Sequence, residues 1–359
     1  MQKILFARWL ALSVVLFAAL ISAAADQAGL PSSQTRSFDP KFAPARLRIE
    51  GTNLFNARGQ RVILRGVNIA SLEWTTQGEH MLEAFDHAIK VWHATLIRMP
   101  LAQDRWFGKA PRQDDGGASY RNLVDRLVDT AATAGVYVDL DLHWSNRGQW
   151  SGEGGKLAQH LLPDELSVLF WRDAATRYKD HPFVIFGLYN EPHDVSWDAW
   201  RDGGTVSEKP PRNATNQPPV SYQAVGMQNL YDTVRATGAG NAVTVSGLDW
   251  GYDLRGLLDG HALNGTNIIY ETHPYPNKKD WDRNFGQPSE KYAVLIGEWG
   301  GRAKDLEYGQ RLMDYARQRG LCWTAWCFHP SAGPTLIKNW SFEPTDFGNY
   351  VKEQLGRGD

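Results

Sequence analysis

VYVDLDLH, residues 136 to 143, is the stretch that decides the fold of this chain. Side chains alternate between the two faces of an extended strand, so the aliphatic residues of this stretch share one face. The opposite face carries Tyr137, Asp139, Asp141 and His143. A strand of a parallel barrel packs aliphatic side chains against outer helices and collects polar groups inside, near its C-terminal end. The stretch therefore predicts a barrel strand with His143 at the mouth and both aspartates as buried structural partners.

Seven further strand-like runs alternate with helical patterns along the chain. The eight strand-like segments are residues 62–69, 94–100, 136–143, 183–190, 242–248, 267–273, 293–298 and 321–328. The clearest helical patterns cover residues 80–92, 121–134, 165–178 and 308–320. This alternation predicts an α/β fold, a (β/α)8 TIM barrel. Since no internal repeat or linker divides the chain, we predict a single domain with a short N-terminal β-hairpin that turns at residues 56–59.

The first 25 residues have the pattern of a secretory signal peptide. Two basic residues precede an apolar run over residues 10–21, and small residues then precede a cut after Ala25. The apolar run is too short to favour a membrane span. We therefore predict a signal peptide over 1–25, a flexible leader over 26–45 and the barrel over 46–359. The mature protein is expected to be secreted, to the periplasm or the medium.

The composition of the chain argues against two classes of partner and favours a third. The net charge is −2 over 359 residues and no run of basic residues is present, so neither nucleic acid nor an anionic membrane is an expected partner. The chain also holds 15 Trp residues. Some of them belong in the core, but an indole in a loop is a flat apolar platform on which a sugar ring can stack. We expect at least two Trp side chains at the surface of a cleft.

The chain has only two cysteines, Cys322 and Cys327, within the strand-like run LCWTAWCF. Five residues along one extended strand correspond to a separation of roughly 16 Å. A disulfide requires Cα atoms within about 7 Å of each other. The two cysteines are therefore predicted to be free, buried thiols.

Two glutamates follow predicted strands at the mouth of the barrel. The apolar run over 183–189 leads into Glu191, and the run over 293–297 leads into Glu298. A simple turn is the plainer interpretation of the first site. However, the fourth and seventh strands lie almost across the barrel, so the two carboxylates can face one bond from two sides, as glycoside hydrolysis requires. Pattern alone leaves other acids near strand ends as candidates: Glu73, Asp104, Asp249 and Glu271.

Seven short motifs lie at predicted strand ends and in one order along the chain. They are RGVN (65–68), IRMP (97–100), DLHW (141–144), YNEP (189–192), HPYP (273–276), GEWG (297–300) and WCF (326–328). In these motifs the chain resembles a secreted member of glycoside hydrolase family 5, a barrel family that contains many cellulases and mannanases. The resemblance extends from about residue 45 to the C-terminus and implies a glycoside hydrolase catalytic domain.

The resemblance implies a role for each matching residue. Glu191 is the expected general acid/base, and Glu298 is the expected nucleophile. Asn190 is expected to hydrogen-bond the 2-hydroxyl of the sugar, a contact that strengthens in the transition state. Arg98 and Tyr275 are expected to hold Glu298 in its ionised form, because a cation and a phenol donor both favour a carboxylate.

The remaining matches imply sugar-binding side chains. His143 and His273 are expected to line the subsite of the reacting sugar, with His273 paired to the acid/base. Trp326 is the expected stacking floor, and Trp144 is expected to extend the cleft. Four further Trp residues follow strand ends and are as consistent with loop core as with the cleft: Trp106, Trp150, Trp281 and Trp299.

The resemblance implies a retaining β-glycanase that hydrolyses β-1,4-glucan through a covalent glycosyl-enzyme intermediate, most closely an endo-β-1,4-glucanase. We expect a polysaccharide substrate, a monomer, no cofactor and no metal, since no HxH or HExxH spacing suggests a metal centre. The alternatives are a β-mannanase, a mixed-linkage or β-1,3-glucanase of the same family, and a non-catalytic carbohydrate-binding barrel. A Gly/Pro-rich insertion over residues 201–219 is either a wall of the cleft or a solvated loop.

Overall fold

The computed structural model of this chain describes residues 34–145, 159–209 and 218–357. Nearly all of them belong to one compact unit, Thr35–Asp359. The predicted signal peptide and Trp150 lie outside the described residues. No helix in the described ranges is long and apolar enough to cross a membrane.

Thirteen strands occur in the described ranges, and eight of them are those predicted from the alternating pattern. The strands are β1 (Arg48–Glu50), β2 (Asn53–Phe55), β3 (Arg61–Val62), β4 (Arg65–Asn68), β5 (Leu96–Ala102), β6 (Tyr137–Trp144), β7 (Val184–Gly187), β8 (Gly203–Glu208), β9 (Val220–Val225), β10 (Val243–Ser246), β11 (Ile268–Thr272), β12 (Val294–Ile296) and β13 (Cys322–Ala325). The α-helices are Met81–Lys90, Gln103–Trp106, Ala118–Ala134, Glu165–Tyr178, Trp197–Asp202, Met227–Ala236, Gln287–Ser289, Leu306–Arg319 and Asp346–Gly356. The boundaries of one helix, Glu165–Tyr178, are those predicted.

The strands β4 to β7 and β10 to β13 form a closed parallel barrel in chain order. The barrel closes between its last and first strands, where Trp323 pairs with Arg65 and Ala325 pairs with Val67. The prediction of a (β/α)8 TIM barrel is confirmed. As expected, the inner face of β6 buries Asp139, which accepts a hydrogen bond from Thr244 at 3.0 Å.

A three-stranded antiparallel sheet, β1 to β3, precedes the barrel. The predicted hairpin turns where expected, because Gly59 donates its backbone N–H to the carbonyl of Asn56 with φ of 74°. The additional strand β1 was not predicted. The amide of Ile49 donates to Asn267 Oδ1 just before β11 begins, so this sheet lies at the N-terminal end of the barrel, away from the mouth.

The helix Glu165–Tyr178 shows why local sequence and structure agree closely here. Asp164 accepts a hydrogen bond from the backbone N–H of Ser167 at 3.1 Å, and Ser167 accepts one in return from the amide of Asp164. This reciprocal capping satisfies two amides that the first helical turn leaves without partners.

Five Trp side chains in the described ranges are fully buried, and each stabilises the fold by roughly 1.5–3 kcal/mol: Trp92, Trp106, Trp171, Trp200 and Trp299.

The eighth strand is shorter than predicted. It ends at Ala325, and the peptide bond between Trp326 and Cys327 is cis, so the two cysteines do not share one strand. Both thiols are nevertheless free and buried, as expected. The strand ends early because Cys327 turns back to pair through its amide with the carbonyl of Pro334 at 2.9 Å.

Residues 203–225 contain the antiparallel hairpin β8–β9, with six residue pairs in register. The predicted insertion over 201–219 therefore begins inside ordered structure, while residues 210–217 lie outside the described ranges. The sequence interpretation as loop or cleft wall did not include a hairpin. The mixture of Gly, Ser and charged residues in β8 has no apolar alternation from which a strand could be predicted.

Candidate active site

Glu191 lies four residues beyond the end of β7, at the C-terminal mouth of the barrel. Backbone hydrogen bonding between β6 and the segment after β7 continues beyond the end of β7, because the amide of Asn190 donates to the carbonyl of Leu142 at 3.1 Å. The Glu191 side chain is 20% exposed, so its carboxylate reaches the open mouth. Its Oε1 atom accepts a hydrogen bond from Nδ1 of His273 at 2.9 Å.

Glu298 lies just beyond β12 and is almost fully buried. Arg98 donates from Nη1 to its Oε1 at 3.0 Å, and the Tyr275 hydroxyl donates to its Oε2 at 2.8 Å. Each oxygen of Glu298 therefore has its own hydrogen-bond donor, a guanidinium on one and a phenol on the other. One oxygen of Glu298 and one oxygen of Glu191 lie within 4.8 Å of each other. The two acids therefore meet across a single small space at the mouth.

Arg98 is the buried cation that joins these residues. Its Nη1 atom donates to Asn68 Oδ1, and its Nη2 atom donates to Asn190 Oδ1, both at 2.9 Å. Burial disfavours its charge, but the surrounding carboxylates outweigh that effect and raise the pKa of Arg98. The nearest are Asp141, Glu271 and Glu298, at 2.9 to 3.1 Å. A buried charge with this many partners is stable only while all of them remain, because an uncompensated ion in the interior costs several kcal/mol.

His273 connects the acid Glu191 to the buried carboxylate Glu271. Its Nδ1 atom faces Glu191 at 2.9 Å and its Nε2 atom faces Glu271 at 2.7 Å. Burial would lower the pKa of His273, but the nearby carboxylates, Glu298 foremost, raise it to about 10. Burial favours the neutral form of Glu191, yet the contact with His273 leaves the pKa of Glu191 below its ordinary value. At neutral pH the proton of this pair therefore resides on His273.

Gly297 makes the approach of Glu271 possible. A Cβ atom on Gly297 would lie 2.2 Å from Glu271 Oε1, which is closer than two non-bonded atoms can approach. The motif GEWG therefore makes two contributions. Gly297 leaves room for the carboxylate of Glu271, and Glu298 supplies a carboxylate of its own.

His143 and Trp326 form the next part of the site. His143 donates from Nδ1 to Asp141 Oδ2 at 2.7 Å, and its ring stacks on the indole of Trp326 with centroids 5.3 Å apart and an interplanar angle of 13°. Asn190 donates from Nδ2 to His143 Nε2 at 3.3 Å. Trp326 belongs to a small apolar cluster with Ala70 and Cys327, and Tyr275 packs against this cluster. Six of the seven predicted sugar-binding residues thus lie with Glu191 and Glu298 in one group of neighbouring side chains: Arg98, His143, Asn190, His273, Tyr275 and Trp326.

The other predicted Trp residues divide between cleft and core. Trp144 is half-buried at the end of β6, with its ring 6.3 Å from that of Trp74. Trp106 and Trp299 are fully buried, so neither extends the cleft. Trp281 packs its ring against two tyrosines, 5.9 and 5.8 Å away. A Trp at a strand end can point into the outer layer of helices, and the sequence pattern does not reveal which way it points.

Trp250 is an exposed aromatic residue near Glu191 that the sequence interpretation missed. It is 46% exposed and stacks on the imidazole of His193 with ring centroids 3.4 Å apart. Its amide donates to the carbonyl of Pro192, next to Glu191, at 3.2 Å. Trp250 lies four residues after β10, and the two predicted acids also follow strand ends. The same sequence rule could therefore have identified it.

The other candidate acids have separate roles. Glu271 is the buried partner of His273 and Arg98. Glu73 is buried and accepts a hydrogen bond from the amide of Ser71 at 2.7 Å, and burial raises its pKa to about 7. Asp104 is buried in the helix after β5, whereas Asp249 is half-exposed and pairs with a lysine at 2.8 Å.

Glu191, His273 and Glu298 also offer three potential metal-ligand atoms within 4.8 Å of one another. A metal ion requires a neutral imidazole with a free lone pair. Both ring nitrogens of His273 instead face carboxylates, and a pKa of about 10 keeps both protonated at neutral pH. The arrangement fits a proton-transfer site better than a metal site.

Comparison with known proteins identifies the family of this chain. Residues 55–332 match the family model of cellulase, glycosyl hydrolase family 5. An endoglucanase of Paenibacillus polymyxa is 23% identical, over 86% of this chain and 85% of that protein. Endoglucanase E-5 of Thermobifida fusca is also 23% identical, over 82% of this chain but 58% of that protein, so this chain spans about three-fifths of its length.

The solved structures that resemble this chain share its fold. The β-glucanase SdGluc5_26A of Saccharophagus degradans, solved in complex with cellotetraose, superposes with a TM-score of 0.70 at 23% identity, covering 91% of this chain and 97% of that one. The catalytic domain of Thermobifida fusca endoglucanase Cel5A has a TM-score of 0.63 at 20% identity, covering 87% and 97%. The family model covers more than half of the chain, and the barrel is the same. This chain therefore belongs to the cellulase family, glycosyl hydrolase family 5.

Proposed function

We propose that this chain is a retaining β-glycanase, an endo-β-1,4-glucanase, with Glu298 as nucleophile and Glu191 as general acid/base. One observation carries the proposal: the two carboxylates approach within 4.8 Å, while Arg98 and Tyr275 each donate a hydrogen bond to a different oxygen of Glu298. Retaining glycosidases have carboxyl groups about 5–5.5 Å apart, whereas inverting enzymes need about 6.5–9.5 Å to admit a water. The short separation leaves direct attack by a carboxylate as the matching chemistry.

In the first step, Glu298 attacks the anomeric carbon and forms a glycosyl ester while the bond to the leaving oxygen breaks. The leaving oxygen takes a proton from the pair formed by Glu191 and His273. In the resting site this proton is on His273. The carboxylate of Glu298 is the strongest of the neighbours that raise the pKa of His273, so loss of its charge in the ester weakens the hold of His273 on the proton. The proton can then cross the 2.9 Å hydrogen bond to Glu191 as the leaving oxygen develops charge.

In the second step, Glu191 accepts a proton from water, and the water oxygen attacks the anomeric carbon from the side opposite Glu298. The ester bond breaks, Glu298 regains its charge, and the sugar keeps its original β-configuration. The proton taken from water passes from Glu191 back to His273 once Glu298 is charged again, which restores the resting site. Each half-reaction inverts the anomeric carbon once, so the two steps together retain its configuration.

Sugar binding is assigned to the aromatic and amide groups around the acids. Asn190 is the proposed contact for the 2-hydroxyl, and Trp326 is the proposed floor beneath the reacting sugar. The exposed indole of Trp250, next to Glu191, suits the sugar on the leaving-group side. Aromatic faces of this kind bind the apolar face of a pyranose without restricting its linkage.

We also propose that the protein is exported, with residues 1–25 removed. The basic start, the apolar run over residues 10–21 and the small residues before the predicted cut support this proposal.

A panel of polysaccharides tests the proposed activity. Purified protein is incubated with carboxymethyl cellulose, barley β-glucan, mannan and laminarin, and reducing sugar is measured, with Glu298→Ala as the matched inactive control. The highest rate on carboxymethyl cellulose supports a β-1,4-glucanase, whereas a preference for barley β-glucan, which contains β-1,3 as well as β-1,4 linkages, would favour a mixed-linkage glucanase. A preference for mannan or laminarin would redirect the substrate to mannan or β-1,3-glucan, and no release from any of them would contradict the enzyme assignment.

A further inference from the structure

Gln159 lies outside the seven sequence motifs, and its side chain forms hydrogen bonds with both Asn190 and Glu191. Its Nε2 atom donates to the backbone carbonyl of Glu191 at 2.6 Å, and its Oε1 atom accepts from Asn190 Nδ2 at 3.0 Å. Reversing the amide would set two donors against each other at Asn190 and two acceptors at Glu191. The two partners therefore fix the orientation of this side chain.

We propose that Gln159 is a positioning residue for Asn190 and that the hairpin β8–β9 is the clamp that holds Gln159 in place. The inference rests on the proposed function, in which Asn190 binds the sugar 2-hydroxyl. It goes beyond that function by assigning a role to a residue and to an insertion that the catalytic motifs do not include.

Three neighbours together hold the Asn190 amide. Arg98 donates to its Oδ1 at 2.9 Å, while its Nδ2 donates to His143 Nε2 at 3.3 Å and to Gln159 Oε1 at 3.0 Å. Gln159 is the nearer of the two acceptors for Nδ2. With both Nδ2 hydrogens engaged, the second lone pair of Oδ1 is the group that can accept from the 2-hydroxyl. A hydrogen bond that strengthens only in the transition state depends on its protein partner being oriented in advance, because misplacement of a contact group by about 1 Å can cost about 100-fold in rate. Removing Gln159 leaves one side of this amide without a partner.

The segment that follows Gln159 lies between the active site and the hairpin. On the side of the active site, the Tyr189 hydroxyl donates to the carbonyl of His160 at 2.8 Å. On the other side, His160 Nδ1 pairs with Glu208 Oε2 of β8 at 2.7 Å, with side chains only 4% and 12% exposed. This buried pair ties the residue next to Gln159 directly to the hairpin.

The second strand of the hairpin holds two later residues of the same segment, Leu162 and Pro163. The Tyr222 hydroxyl donates to the carbonyl of Leu162 at 2.8 Å and accepts from its amide at 3.0 Å. The amide of Val225 donates to the carbonyl of Pro163 at 2.8 Å. Contacts at three of the four positions from His160 to Pro163 fix both the path and the register of this segment. The hairpin, which takes no part in the barrel ladder, thus sets where Gln159 stands.

The test compares an aryl β-cellobioside with its analogue lacking the 2-hydroxyl on the reacting sugar. For Gln159→Ala we expect kcat/KM to fall about 10- to 30-fold on the first substrate and by less than about twofold on the second. The difference arises because Gln159 acts only through the amide that binds the missing hydroxyl. A residue that merely supports the fold would lower both rates alike.

Variants in the hairpin test the clamp. Glu208→Ala is expected to reproduce the selective loss of Gln159→Ala, and the double variant is expected to be no worse than either single one. Glu208→Gln keeps an acceptor for His160 and should stay near the wild-type rate. Thr205→Ala removes an exposed side-chain contact of the same hairpin, with Gln223 at 3.3 Å, and serves as the control.

The outcomes separate the inference from the function on which it rests. Equal losses on both substrates, or no loss on either, would overturn the role of Gln159 while the glycosidase assignment stands. A selective loss in Gln159→Ala that is absent in Glu208→Ala would remove the clamp. If the wild type turns over neither substrate, the proposed function fails and the inference falls with it. Melting curves of each variant confirm that a folded protein is being compared.

Discussion

His273 donates a hydrogen bond from Nδ1 to Oε1 of Glu191 over 2.9 Å. The opposite ring nitrogen is held by Glu271 at 2.7 Å, so the imidazole cannot turn away from the acid. In the proposed mechanism, the catalytic proton is therefore shared by His273 and Glu191 and is not confined to one carboxyl group. This arrangement has a consequence for the pH dependence of the reaction.

Replacing His273 with Gln is predicted to move the basic limb of the kcat/KM profile to lower pH by at least about one pH unit. In the wild type, the pKa of about 10 on His273 keeps one proton on the pair throughout the neutral range. In the variant only the Glu191 carboxyl can hold that proton, and it releases it at a lower pH than the imidazolium does. Rates measured from pH 5 to 10 on an aryl β-cellobioside test this, and an unchanged basic limb would remove His273 from the proton path.

Glu73→Gln is predicted to stabilise the protein at alkaline pH. Burial raises the pKa of Glu73 to about 7, against about 4.3 in an unfolded chain. The folded state therefore binds the proton more tightly, and this stabilisation is present below about pH 4.3 and is lost as the pH rises to about 7. The amide of Gln is neutral at every pH and can still accept from Ser71, so the variant should gain up to about 3 kcal/mol over the wild type above pH 7.

Urea unfolding at pH 4.5 and pH 8 measures this difference directly. The two proteins should have nearly the same free energy of unfolding at the lower pH and diverge at the higher one. A constant difference at both pH values would mean that Glu73 does not change its protonation state on unfolding.

Trp250→Ala is predicted to lower kcat/KM on cello-oligosaccharides about tenfold, because the exposed indole supports the leaving sugar. β-Cellobiosyl fluoride has no sugar on that side, so its turnover should be unchanged. Phe42→Ala serves as the control, because Phe42 is also an exposed aromatic residue (56% exposed) and is distant in sequence from Trp250. A loss on both substrates would assign Trp250 to the structure of the loop and not to sugar binding.

Export is tested by the N-terminus of the mature protein. If residues 1–25 are a signal peptide, protein recovered from the periplasm or the medium should begin within a few residues of Asp26. Intact Met1 in the recovered protein would contradict cleavage.

Alternation of residue types predicted most of the barrel, and its success has a physical reason. A strand such as β6 lies between helices and a packed interior, so its two faces require different side chains, and Asp139 and Asp141 reveal the inner one. The acids at Glu191 and Glu298 follow from the same logic, since barrel chemistry collects where strands end. The contacts of Arg98 also agree with the expected role, since it reaches Glu298 directly.

Other features had no signal in the sequence pattern. Gln159 lies in a segment without periodicity, and its two hydrogen bonds depend on a hairpin that comes over forty residues later in the chain. Trp106 and Trp299 follow strand ends as Trp250 does, yet they turn into the core. Strand ends identify where a side chain begins, while tertiary packing decides where it points.

The stereochemistry of the first product tests the central claim most directly. Hydrolysis of a β-linked cello-oligosaccharide is followed by NMR from the earliest minutes, before the released reducing ends equilibrate in water. Attack by Glu298 followed by attack of water inverts the anomeric carbon twice, so the β-anomer should appear first and the α-anomer only later by mutarotation. Initial release of the α-anomer would mean a single displacement by water, and the roles assigned to Glu298 and Glu191 would be wrong.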